Sequence, residues 1–149
     1  MNIITENRKA YYNYQILEKF EAGISLIGQE VKSIKSGKIG LAGSYVVLKR
    51  EEAFLIGANV PPYQPKNAPA DYLPERSRKL LLKKSEIKYL IGKAKEKGLT
   101  LVPLMVYTQK GKIKIEFGLA KGKRKVDKRE VIKKRDTERE IKRELNWRK

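Results

Sequence analysis

Residues 112–119 alternate without a break, with Ile113, Ile115, Phe117 and Leu119 on one side and Lys112, Lys114 and Glu116 on the other. A period of two with one apolar side is a half-buried β-strand, and it commits this stretch to a sheet that covers a core. The same period starts at Ile16. There the even positions Ile16, Glu18, Phe20, Ala22, Ile24 and Leu26 form a predicted inner face, and Leu17, Lys19, Glu21, Gly23 and Ser25 a wet one. Residues 44–49 and 53–60 read as a strand pair turning at Arg50-Glu51-Glu52, which lacks a strong hairpin dipeptide. Residues 99–107 are nearly all apolar, and Pro103 within them predicts an edge strand or a bulge.

Two helices interrupt the strands. Ile27, Val31 and Ile34, followed by Gly37 as a stop, predict one at about 28–36. The second is capped by Ser85, carries Ile87, Leu90, Ile91 and Ala94 at helical spacing, and ends at Gly98. The stretch from Pro61 to Pro74 holds five of the six prolines and reads as a loop. Five or six short strands with peripheral helices predict a mainly β fold, a small closed antiparallel barrel.

Charge narrows the function. Thirty-five Lys and Arg against 17 Asp and Glu leave a net +18 on 149 residues, a field suited to a polyphosphate backbone rather than to a small acidic substrate. There is no Cys, which removes disulfides, thiolate nucleophiles and Cys-ligated zinc. His is absent too, and with it the commonest metal ligand and the side chain best suited to proton transfer near neutral pH. Neither a phosphate-binding glycine loop nor carboxylates at metal-ligand spacing are found. No apolar run approaches a membrane span, and the first ten residues hold no signal-peptide core. The expectation is a soluble, intracellular, polyanion-binding protein with no cofactor, no metal and no catalytic step.

The last 29 residues carry 14 Lys or Arg, 6 Asp or Glu and only six apolar side chains. Six such side chains cannot offset the ordering of that much backbone, at about 1–2 kcal/mol per residue. A folded domain over 1–120 and a basic tail over 121–149, disordered when free, are therefore expected. From Asp127 to Leu145 the tail has no Gly or Pro and is rich in helix formers, so it would be marginal alone and could fold inside a phosphate-lined channel.

Several positions are candidates for RNA contact. Asn7-Arg8-Lys9-Ala10-Tyr11-Tyr12 mixes cations with aromatics, as sugar-phosphate grip and base stacking require, although such stretches are also common on ordinary surfaces. Glu21 lies on a wet strand face beside Gly23, which would admit another backbone closely. Its carboxylate could accept from base amino or imino groups, or form a salt bridge to a neighbouring Lys; the residues alone favour the salt bridge. Arg78-Lys79 before Leu80-Leu81-Leu82 could be a basic rim on a core strand, and three leucines in a row should place one outward.

A series of blocks in order identifies a family resemblance. They are Asn7-x-Lys9-Ala10, Phe20-Glu21-Ala22-Gly23-Ile24, Gly28-x-Glu30-Val31-Lys32-Ser33, Ser44-Tyr45-Val46, Arg76-x-Arg78-Lys79-Leu80-Leu81-Leu82, Ala120-Lys121-Gly122-Lys123-Arg124 and Asp127-Lys128-Arg129. With these blocks the chain resembles the SsrA-binding proteins (small protein B), partners of tmRNA in bacterial ribosome rescue, from about Asn7 to Arg139. The resemblance implies an oligonucleotide-binding-like barrel that binds the tRNA-like part of tmRNA and stands in for an anticodon arm in the decoding centre of a stalled ribosome. It implies RNA-facing roles for Asn7, Lys9, Glu21, Leu81 and Lys114, with Arg78 and Lys79 nearby. It makes Glu21 a base reader and Leu81 a surface contact. It assigns Lys121, Gly122, Lys123, Arg124, Asp127, Lys128 and Arg129 to small-subunit RNA, and the rest of the tail to a helix in the empty mRNA channel. Val126 departs from the pattern, since members often carry His or an aromatic there. A cytoplasmic protein, monomeric when free, is expected. The rival reading is a general structured-RNA-binding or ribosome-assembly protein on the same barrel.

Overall fold

The computed structural model describes residues 1–123. Strands β6 (Leu99–Gln109) and β7 (Lys112–Gly122) form a hairpin turning at Lys110-Gly111 with φ of 51° and 76°. Two positive φ values give the tight turn whose twist matches that of the flanking strands. The other edge of β7 pairs with β2 (Tyr14–Ile24), and β2 pairs with β5 (Arg78–Leu81). Next come β4 (Glu52–Ile56) and β3 (Tyr45–Lys49), and β3 returns to β6 through Val46 and Leu101. Six antiparallel strands thus close a barrel, as the alternation predicts. A seventh strand, β1 (Asn2–Glu6), follows residues 105–108 of β6. Its NIITE sequence is short and shows no alternation, so the backbone pairing alone defines it.

The barrel interior is filled by the inward residues of every strand, among them Val46, Leu55, Leu80, Leu101, Val106, Ile115 and Phe117. Helix α2 (Gly28–Lys35) contributes Ile34 and α3 (Lys84–Ala94) contributes Leu90, both buried. The cap of α3 is Lys83 rather than Ser85. The backbone N–H of Lys83 donates to Glu86 Oε1 at 3.3 Å, and Ser85 lies inside the first turn.

Two bulges explain where the strand periods break. In β2 the pairing slips between Ile16 and Glu18, leaving Leu17 without a partner. Phe20, Ala22 and Ile24 face the barrel core as predicted, but Ile16 is turned to the opposite side of the sheet. There it joins Ala10, Val102, Leu104 and Ala120 in a second cluster beneath α1 (Arg8–Asn13). Gly118 opens the space for this crossing, since a Cβ there would lie 2.9 Å from Ile16 Cγ2. In β6 the slip falls between Pro103 and Met105, so Pro103 marks a bulge and not an edge. Burial on both faces accounts for the nearly continuous apolar run at 99–107. The Arg50-Glu51 turn is also a two-residue one, with φ of 51° and 62° at side chains that disfavour positive values.

Candidate nucleic-acid interface

The order β5–β2–β7 brings three of the sequence-predicted residues onto one outer face. Leu81 is opposite Gly23, and Gly23 is opposite Lys114; one step along, Glu21 is opposite Glu116. Directly paired residues share a side of the sheet, so Leu81, Lys114 and Glu21 project together. Of the leucine triplet, Leu80 is 2% exposed and Leu81 55%, which settles which one points outward. Gly23 admits a side chain rather than a backbone: a Cβ there would meet Leu81 Cβ and Cδ1 at 3.4 Å.

Leu81 lines a groove of about 420 Å³ between α2 and the β6–β7 hairpin. Leu26, Val31 and Leu81 supply apolar surface, and Lys35, Lys112 and Lys114 supply charge. Such a groove can take a ribose or an unstacked base against its floor, with phosphates at the lysines. Lys35 and Lys112 are not among the sequence-predicted residues. Lys112 shares the outward parity of Lys114, a signal that could have found it; Lys35 had none.

Glu21 makes no ion pair among the described residues. Its Oε2 accepts the O–H of Tyr107, a residue the sequence reading passed over. Burial first, then this bond and the charges of Glu21 and Glu116, push the Tyr107 phenol pKa up, so it stays a neutral donor. Lys19 lies 3.7 Å from Glu116 Oε1, which is buried without a hydrogen bond.

Arg78 corrects the expected basic rim. It shares the inward parity of Leu80 and is 0% exposed. Its Nε and Nη2 lie 2.7 and 2.5 Å from Glu30 Oε2, and its remaining donors reach the carbonyls of Ala58, Arg76 and Pro74. A guanidinium saturated inside the protein has nothing left for RNA. Arg76 completes the cluster at 2.6 Å from Glu30 Oε1, and the Ile27 N–H donates to the same oxygen at 3.0 Å. Burial alone would raise the Glu30 carboxyl pKa, but the bonds from Arg76, Ile27 and Arg78 outweigh it and hold the pKa below its ordinary value. Lys79 faces outward on the same side as Leu81, 3.5 Å from Glu52.

Asn7 and Lys9 are not part of this group. The Asn7 side chain donates to Pro103 O at 2.9 Å and its backbone N–H to Leu104 O at 2.7 Å, so it fastens the β6 bulge. Lys9 is exposed on α1, beside a second groove of about 360 Å³ that also includes Tyr45 and Thr100. The start of the basic segment lies against the same helix. Strand β7 runs two residues past position 120, with Lys121 opposite Gln15 and Gly122 opposite Tyr14. Lys123 follows, donating from its backbone to Asn13 O at 2.9 Å and from Nζ to Tyr11 O at 3.0 Å. Arg124, Asp127, Lys128, Arg129 and the predicted tail helix lie outside the described residues. Among the described residues no helix is long and apolar enough to cross a membrane.

Comparison with known proteins places this geometry in context. The family model described as SmpB protein matches residues 4–147. The SsrA-binding protein of Carboxydothermus hydrogenoformans is 51% identical over 146 residues, 98% of this chain and 97% of the relative. That of Acaryochloris marina is 49% identical over 143 residues, 96% of this chain and 93% of the relative. A solved chain described under "tmRNA-SmpB: a journey to the center of the bacterial ribosome" superposes with a TM-score of 0.67 at 45% identity, covering 86% of this chain and 93% of that one.

Proposed function

The chain belongs to the SmpB protein family, and from that premise we propose that it binds tmRNA and acts with it on the ribosome in trans-translation. The observation that carries the site assignment is the convergence of Glu21, Leu81 and Lys114 on one outer face, beside a groove rimmed by further lysines. In this reading the lysines hold phosphates of the tRNA-like domain, Leu81 packs on an exposed base or ribose, and Glu21 accepts from base N–H groups. Lys79 adds charge at the margin. The protein works by binding in the cytoplasm as a monomer until it meets its RNA, with no chemistry of its own.

Residues 1–120 serve as the RNA-binding domain and 121–149 as the ribosome-directed segment. Lys121, Gly122 and Lys123, with Arg124, Asp127, Lys128 and Arg129, meet small-subunit RNA, and the distal residues fold as a helix where mRNA is missing. Lys9 on α1 lies near the base of that segment, so its charge belongs with the ribosome-facing end.

The test is competition at fixed, near-physiological salt. The protein is bound to the tRNA-like domain of tmRNA and challenged with an ordinary tRNA of similar length. Competition at least about tenfold weaker by the tRNA supports the assignment. Equal competition would leave the net charge as the source of binding and favour the general structured-RNA reading.

A further inference from the structure

An acid surrounded by lysines ordinarily pairs with one of them. Lys19 shares the outward side of β2 with Glu21, and Lys114 is one register step away on β7. Glu21 pairs with neither. Its Oε2 accepts from the phenol of Tyr107, and among the described residues no donor meets Oε1. Tyr107 comes from β6, on the far side of β7 from Glu21, with Ile3 and Lys114 as its cross-strand neighbours. By register it belongs to the outer side of the sheet, yet it is only 2% exposed. Its ring is therefore fixed and its hydroxyl committed, and a buried hydroxyl is costly without a partner.

We propose that Tyr107 is a positioning residue for RNA recognition, holding the Glu21 carboxylate through a hydrogen bond from an uncharged donor so that Glu21 and Lys114 both meet the RNA unpaired. A Lys partner would fix Glu21 equally well, but each such pair would remove one cation and one acceptor from the surface together. A tyrosine satisfies the carboxylate without consuming a cation. Each carboxylate oxygen has two lone pairs, so Oε1 and the second lone pair of Oε2 remain for base N–H donors. The ordering of Glu21 is then completed before the RNA arrives, and binding does not have to supply it. This inference rests on the reading of Glu21 as a base contact given above.

A double-mutant cycle in the full chain separates the two claims. Tyr107→Phe, Glu21→Ala and the double variant are measured for affinity to the tRNA-like domain of tmRNA at one salt concentration, with melting followed alongside. Tyr107→Phe keeps the ring and should melt close to the parent. It should lower affinity about threefold to tenfold when Glu21 is present, the range for having to order one side chain on binding, and less than about twofold when Glu21 is already Ala. Equal losses in both backgrounds, or no loss from Tyr107→Phe while Glu21→Ala weakens binding, overturn the positioning role and leave Glu21 as a contact. Unchanged affinity in Glu21→Ala overturns the reading of Glu21 itself, and the role of Tyr107 with it.

Discussion

Arg78 on β5 and Glu30 on α2 form an ion pair buried on both sides, with Nη2 and Oε2 2.5 Å apart. Together with Arg76 it ties α2 to the strand that presents Lys79 and Leu81. Removing Arg78 would leave a buried carboxylate half compensated. Arg78→Ala should cost about 3–5 kcal/mol in unfolding free energy, measured by denaturant titration. Lys79→Ala, whose 3.5 Å pair with Glu52 is surface-exposed, should cost less than about 1 kcal/mol.

The same cluster predicts acid sensitivity. The folded pKa of Glu30 lies below its ordinary 4.5, so the unfolded state binds the proton more readily. The contribution is fully present above pH 4.5 and is lost as pH falls from there through the folded value. Unfolding free energy should decline across that window in the parent, and the decline should be shallower in Glu30→Gln.

Two glycines should differ in what they tolerate. A Cβ on Gly118 would lie 2.9 Å from Ile16 Cγ2 and 3.2 Å from Leu104 Cδ1, inside a closed cluster, whereas on Gly23 it would meet only Leu81, at 3.4 Å. Gly118→Ala should lower stability by about 1–3 kcal/mol through overpacking. Gly23→Ala should leave stability within about 0.5 kcal/mol. Thermal or denaturant melts of the two variants side by side decide it.

For RNA binding, Glu21→Ala should weaken affinity for the tRNA-like domain by about 1–3 kcal/mol at fixed salt, the range of a good base contact. Lys114→Ala should instead reduce the log–log salt slope by about 0.7–0.9, as expected for one phosphate contact. A salt titration of both variants distinguishes base reading from charge.

Removal of residues 130–149 should leave tmRNA affinity nearly unchanged and abolish tagging on stalled ribosomes. Filter binding and a tagging assay in parallel test this. Undiminished tagging would exclude the channel-probing role.

Much of the barrel was legible because each half-buried strand writes its own period. Residues 112–119 gave strand, face and outward lysines at once, and the leucine triplet required one outward side chain. What escaped depends on distant parts of the chain. Strand β1 exists through its pairing with β6, and α1 has a single buried residue, Ala10, so neither leaves a periodic trace. The Leu17 bulge reverses the facing of Ile16 for the sake of a cluster contributed by three other elements. Arg78 shares the parity of Leu80, which points it inward. Only the fold supplies Glu30, the partner that makes burying a guanidinium affordable. Tyr107 hid in an apolar run, where nothing local announces that its hydroxyl reaches Glu21 two strands away.

Strand β7 carries Lys114 near one end and Lys121 near the other, and it is hydrogen-bonded on both edges over that span. A load applied along the axis of β7 would be carried in shear, where many hydrogen bonds share the force and must yield together. The span of β7 from Lys114 to Lys121 is thus a stiff strut. If the segment beyond Lys123 engages the ribosome as proposed, tension along β7 would reach the proposed RNA contact without peeling the strand away.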